Sequence, residues 1–178
     1  MQRWLSFGAS EIGPAHIASG KPNQDSWAAF HHFGCDVLVV ADGVGSRDHS
    51  ELGSAGACRA VDQVVSNRLF LGLPWDLNDE GCKTALLDEI RDTWMDSIKP
   101  IDANDASTTC LFALRDGSGM MWIALLGDGC AAAVMRDGSG SRPDLWCIKG
   151  HRRNRRPPLP GECYPCSPPG STAAEIIL

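Results

Sequence analysis

With 178 residues, 43% of them hydrophobic and 21% charged, the chain suits one globular domain with a substantial core. The net charge is -6, and residues 1–150 carry 20 Asp/Glu against 12 Lys/Arg, so binding to a phosphate backbone is excluded as the main role and no nucleic-acid partner is expected. No apolar window has the length of a membrane span and no leader pattern opens the chain, so no membrane partner is expected and the cytoplasm is the default. Eight cysteines sit mostly alone inside apolar runs, where reduced thiols act as small hydrophobes.

In chain order, Arg3 to Glu11 alternates loosely and predicts an edge strand. Gly13 to Asn23, with Pro14, Gly20 and Pro22, predicts a loop. Asp25 to Phe30 predicts a strand, with His31-His32-Phe33-Gly34 as the turn after it. Val37 to Val40 is a short β-branched run that reads as a strand buried on both faces. It stops at Ala41-Asp42-Gly43-Val44-Gly45, where two glycines let the backbone turn tightly beside one carboxylate. Such a strand end offers hard oxygen donors to a divalent cation, although a lone Asp-Gly turn is more often only a turn.

Leu52, Ala55, Val61, Val64, Val65 and Leu69 recur at helical spacing and predict a helix from Glu51 to about Phe70, with Ser50 as its cap. Asn78-Asp79-Glu80 opens a second helix that runs to about Ile98 and buries Cys82, Leu86, Ile90, Trp94 and Ile98. Ser107 to Leu114 predicts a strand, Asp116-Gly117-Ser118-Gly119 a hairpin turn, and Met121 to Leu126 the return strand. Cys130 to Met135 continues that strand past Gly127-Asp128-Gly129. Another turn falls at Asp137-Gly138-Ser139-Gly140, and a last short strand at Leu145 to Ile148. Strands, two helices, then strands indicate an α+β domain with antiparallel sheets over residues 1–148.

Residues 149–178 differ in kind: a basic run from His151 to Arg156, then a Pro/Gly/Cys-rich stretch, reading as a disordered tail. Cys163 and Cys166 have the spacing of a zinc or redox pair but lack a second pair of ligands. Pro157-Pro-Leu-Pro160 has the form of a polyproline ligand and the four arginines that of a basic patch. Both patterns are ordinary in a solvated tail.

Four motifs stand in order: His16 to Lys21-Pro-Asn-Gln-Asp25, Val39-Val-Ala-Asp-Gly-Val-Gly45, Ser107-Thr-Thr109 and Leu126-Gly-Asp-Gly129. This pattern resembles the metal-dependent protein phosphatases of the 2C type, closest to their compact bacterial branch, over about residues 5 to 135. The resemblance implies a sandwich of two antiparallel β-sheets flanked by helices. It implies a Mn2+ or Mg2+ pair that activates a water for in-line attack on phosphoserine or phosphothreonine. Asp42 then bridges the metals, the Gly43 carbonyl completes one shell, Asp128 serves an additional metal site, and Asp25 orients metal-bound water. The substrate is a phosphorylated protein, and a Ser/Thr kinase is the matching partner.

The chain also departs from that pattern. Gln24 stands where the family often has a glutamate, so one metal is held less tightly. Lys21 stands in for the arginine that clamps phosphate, as a point charge without the bidentate fork. The family's later Ser-Asp-Gly and Asp-Asn motifs have no counterpart after Ile148. The expectation is therefore a family domain incomplete at its C-terminal end, for example through a shifted reading frame. The competing reading is the same fold as an inactive binding or regulatory module.

Overall fold

The computed structural model of the chain describes residues 5–73, 75, 76, 78–136, 144–149 and 172–177. Two adjacent runs rich in apolar residues form its first hairpin, β1 (Asp25–His32) and β2 (Cys35–Asp42), paired from Asp25↔Asp42 to His32↔Cys35. The turn is Phe33–Gly34 alone, with φ of 50° and 83°. Positive φ at both central residues is what a two-residue turn needs to match strand twist. His31 and His32, expected in the turn, are thus the last residues of β1. They face opposite sides, and each meets a carboxylate: His31 Nδ1 lies 2.7 Å from Asp36 and His32 Nε2 2.6 Å from Asp62.

β3 (Cys110–Arg115) and β4 (Met121–Leu126) complete a four-stranded antiparallel sheet in the order β1-β2-β3-β4. The β3–β4 turn is the expected one. Asp116 accepts from the Ser118 and Met120 amides at 2.9 and 3.0 Å, closing the loop with its own side chain. Along β2 the residues Cys35, Val37, Val39 and Ala41 are buried, while Leu38 and Val40 are half-buried. The strand is therefore sealed on one face only, not on both.

The sealing element is α2 (Ser50–Phe70), which lies on β1 and β2. α3 (Glu80–Ser97) packs in turn on α2. Val61, Val65, Leu86, Phe112 and Leu114 form the centre of this layer. Each such side chain contributes about 1.5–3 kcal/mol when fully buried. Ser50 is not a cap but the first helical residue, fully buried; His49 precedes it without a capping side chain. Asp79 does cap α3, accepting from the Cys82 amide at 3.0 Å. Buried Arg68 ties the two helices together through Glu89, with contacts of 2.7 and 2.8 Å.

Two N-terminal expectations change. Leu5 to Gly13 belongs to no strand. Within the expected loop lies a short helix, α1 (Pro14–Ser19), with proline in its first turn and Gly20 at φ 67° ending it. Both are ordinary helix punctuation, so the prolines and glycines that suggested a loop mark instead the limits of a single turn and a half.

β5 (Cys130–Arg136) does not prolong β4. It is the centre of a second antiparallel sheet, β6-β5-β7, with β6 (Asp144–Lys149) and β7 (Thr172–Ile177). The break falls at Gly127, whose φ of 96° redirects the chain. The expected strand at Leu145 to Ile148 is β6. The expected turn at 137–140 and the Arg/Pro/Cys-rich segment 150–171 lie outside the described residues, while its last stretch pairs as β7. The α+β class with antiparallel sheets is as expected from the sequence. Among the described residues no helix is long and apolar enough to cross a membrane. Burial pushes the thiols of Cys35, Cys58 and Cys110 up to about 12, 11 and 12, so these cysteines are protonated packing groups at neutral pH.

Candidate functional site

The hairpin register puts Asp25 directly opposite Asp42, two carboxylates at the open end of β1 and β2. Each is locally fixed. The Asp25 amide donates to Asn23 Oδ1 at 3.2 Å, and the Asp42 amide donates to Thr109 Oγ1 at 2.9 Å. The Asp42 carbonyl accepts from the Thr109 amide at 2.8 Å and from Thr108 Oγ1 at 3.0 Å. The expected strand from Ser107 begins only at Cys110, and Ser107–Thr109 is the irregular lead-in that holds Asp42, with Thr108 bridging Gly43.

Gly43 is buried between two other segments. A Cβ there would stand 2.5 Å from the Gln24 carbonyl oxygen and 2.8 Å from that of Ser50. Both are backbone atoms, so no side chain fits. The Gly43 amide donates to the Gln24 carbonyl at 3.1 Å, locking the strand end against the segment that carries Asp25.

Asp128 reaches the same end by a separate route. Gly127 packs against Thr109, with a would-be Cβ 2.8 Å from its Cγ2, and Thr109 is the residue bonded to Asp42. The charge of Asp128 is felt at Asp42. Burial, a hydrogen bond with Asp25, and the charges of Asp25 and Asp128 together raise the Asp42 carboxyl above the usual carboxylate range. Among the described residues no ion pair is made by either Asp25 or Asp42.

Lys21 lies at the rim, its ammonium donating to the Gly45 carbonyl at 2.8 Å. Gln24 is the group that sequence reasoning undervalued. It is only 3% exposed, its amide nitrogen donates to the Arg47 carbonyl at 3.2 Å, and its Oε1 has no donor among the described residues. No local sequence signal marks it, because its burial depends on the Gly43–Ser50 loop that covers it.

These donors fit a hard cation. Two opposed carboxylates, of which Asp42 has its proton affinity raised, are stabilised when a cation takes the place of the proton between them. Among the described residues no three His, Cys, Asp or Glu side chains stand close enough to form a metal cluster.

The structure thus sets a paired-carboxylate strand end on an antiparallel sheet covered by α2. The family model described as Protein phosphatase 2C matches residues 12–144, and the chain belongs to that family. The match takes in Asp25, Asp42, Gly43 and Asp128 as well as α1, α2 and α3. No curated protein matches the chain.

Proposed function

We propose that the chain is a Mn2+- or Mg2+-dependent phosphatase domain for phosphoserine and phosphothreonine in proteins. The observation that carries this reading is the Asp25–Asp42 pair, two carboxylates in register sharing a hydrogen bond with no ion-pair partner among the described residues. Asp25, Asp42 and the Gly43 carbonyl would hold the cation, with Asp128 contributing to an additional metal site beside it. The bound cation would lower the pKa of a water and neutralise charge on the phosphoryl oxygens. Lys21 attracts the phosphate dianion as a point charge at the rim. The fixed backbone of Asp42, tied by Thr108 and Thr109, keeps its carboxylate from reorganising as charge develops. A phosphoprotein substrate implies a Ser/Thr kinase acting upstream of it.

The uncharged Gln24 favours a second reading, a binding module that retains the cation and phosphate but turns over poorly. Calorimetry with Mn2+ and hydrolysis of p-nitrophenyl phosphate test both readings. Weak Mn2+ binding is expected, and Asp42→Asn should abolish it. Phosphate-monoester hydrolysis demands one of the largest accelerations known, and a site with few clustered carboxylates falls short steeply rather than mildly. Turnover by these 178 residues is therefore expected to be low yet above that of Asp42→Asn, and turnover equal to that variant's would favour the module. Robust Asp42-dependent turnover would favour the phosphatase over the module. Mn2+ binding indifferent to Asp42→Asn would sink the metal-site assignment.

A further inference from the structure

We propose that the free edge of β4 is a self-association surface, to which a second copy of this chain adds its own β4, antiparallel about a two-fold axis at Ala124. β4 ends the four-stranded sheet, and among the described residues only β3 pairs with it. The turn before it decides which backbone groups are left over. The Asp116 amide donates to the Met120 carbonyl at 3.0 Å, and antiparallel ladder bonds then recur at alternate residues. Trp122, Ala124 and Leu126 therefore bond inward to Leu114, Phe112 and Cys110. Met121, Ile123 and Leu125 turn their amides and carbonyls outward.

Sheets ordinarily blunt such an edge with a charge, a proline or a bulge. Met121-Trp-Ile-Ala-Leu-Leu126 has no charge and no proline, and its register with β3 is unbroken. The opposite edge is protected. β1 carries Asp25 at one end and His31 near the other, and the N-terminal segment crosses it at Gly8, where a Cβ would stand 2.7 Å from the Trp27 ring.

Two-fold pairing sets side chains of the same sheet face opposite each other, which limits the registers. With the axis at Ala124, that small residue faces its own copy as a non-hydrogen-bonded pair, where side chains approach most closely. Ile123 of each protomer faces Leu125 of the other, and these pairs exchange about four backbone bonds. Leu126, 69% exposed in the single chain, comes to lie opposite the second copy's Trp122. An axis at Ile123 would instead set Leu126 beyond the end of the second strand. One strand from each copy covers less than the roughly 1,200–2,000 Å² of a stable interface, so the dimer is weak and depends on concentration.

Sedimentation equilibrium of the full chain, from low to high micromolar concentration, should show a monomer–dimer equilibrium. Ile123→Pro removes an outward amide that bonds to nothing among the described residues, so it should give a folded monomer throughout. Leu126→Ser should weaken dimerisation about tenfold, through lost apolar burial. Its unfolding midpoint should match the parent's at a concentration where both are monomeric. A parent chain that is monomeric over the whole range overturns the inference. So does a dimer undiminished in Leu126→Ser, or in an Ile123→Pro chain that circular dichroism shows to be folded, because another surface then carries it. Should Ile123→Pro fail to fold, Leu126→Ser decides alone. Open-ended aggregates in place of a dimer also overturn the inference, since two-fold pairing uses up the edge and closes.

Discussion

The two ends of the β1–β2 hairpin carry acids on the same face of the sheet, and they are handled in opposite ways. At the turn end, Asp36 is met by His31 at 2.7 Å and by Arg115, from β3, at 3.2 Å. At the open end, Asp42 is met by another acid, Asp25, with Asp128 near enough to be felt. Six residues along one strand separate a compensated carboxylate from an uncompensated one. A structural acid acquires cations from its own chain, whereas an acid that must bind an external cation cannot have that place taken.

The largest effect expected at the open end is backbone, not charge. Gly43→Ala would drive a methyl into two carbonyl oxygens at 2.5 and 2.8 Å, neither of which can rotate away. A loss of about 3 kcal/mol or more, or failure to fold, should appear in chemical denaturation. A loss under about 1 kcal/mol would mean that the Gln24 and Ser50 segments separate readily, and the locked strand end would no longer explain Asp42.

Next comes the turn end. Asp36→Asn strips Arg115 and His31 of their charge partner in a half-buried setting, with Asp36 23% exposed and Arg115 22%. A destabilisation of about 1–2 kcal/mol is expected in the same measurement, and it should shrink for His31→Ala because that ring is largely exposed. If Asp36→Asn is neutral, the compensated end is ornamental and the comparison loses one arm.

The contrast was only half legible in the sequence. The strand ends could be read, because Val37 to Val40 and the Asp42-Gly43 turn announce themselves by pattern. So could the two long helices, the capping stretch Asn78-Asp79-Glu80 and the Asp116 turn, all of which follow local rules. Register could not. Whether Asp25 faces Asp42 or its neighbour depends on a two-residue turn at Phe33, and Phe33 gives no local sign of adopting a positive φ. Assigning His31 and His32 to the turn hid their partners Asp36 and Asp62. The start of β5 in a new sheet was equally hidden, since a glycine break and a continuing strand look alike over a few residues.

Neutralising the two ends should shift stability in opposite directions. Asp42→Asn removes a carboxylate that burial and two like charges disfavour, so without metal the variant should be slightly more stable than the parent chain. Solvent screening at this exposed group keeps the gain near 0.5 kcal/mol, about 1–2 °C in the unfolding midpoint. Added Mn2+ should reverse the order by stabilising only the parent. A destabilised Asp42→Asn in metal-free buffer would show that the acid is structural after all.

The smallest effect is the pH dependence, and its sign separates the ends once more. The Asp42 carboxyl titrates higher in the folded chain than in the unfolded one, so between those two values the folded state binds the extra proton. Its contribution is fully present below the unfolded value, near 3.8, and is lost as pH rises through the folded value. The parent chain should therefore lose a few tenths of a kcal/mol on going from mildly acidic to neutral buffer, relative to Asp42→Asn. Saturating Mn2+ should flatten or invert that slope, since the cation binds the deprotonated pair and takes over what the proton supplied. Midpoints of parent and variant, measured side by side from pH 4 to 7.5 with and without Mn2+, give the difference directly. A difference that grows in the parent's favour with rising pH, in the absence of metal, would mean that Asp42 already has a cationic partner in its own chain, and the open end would then be the twin of the turn end rather than its opposite.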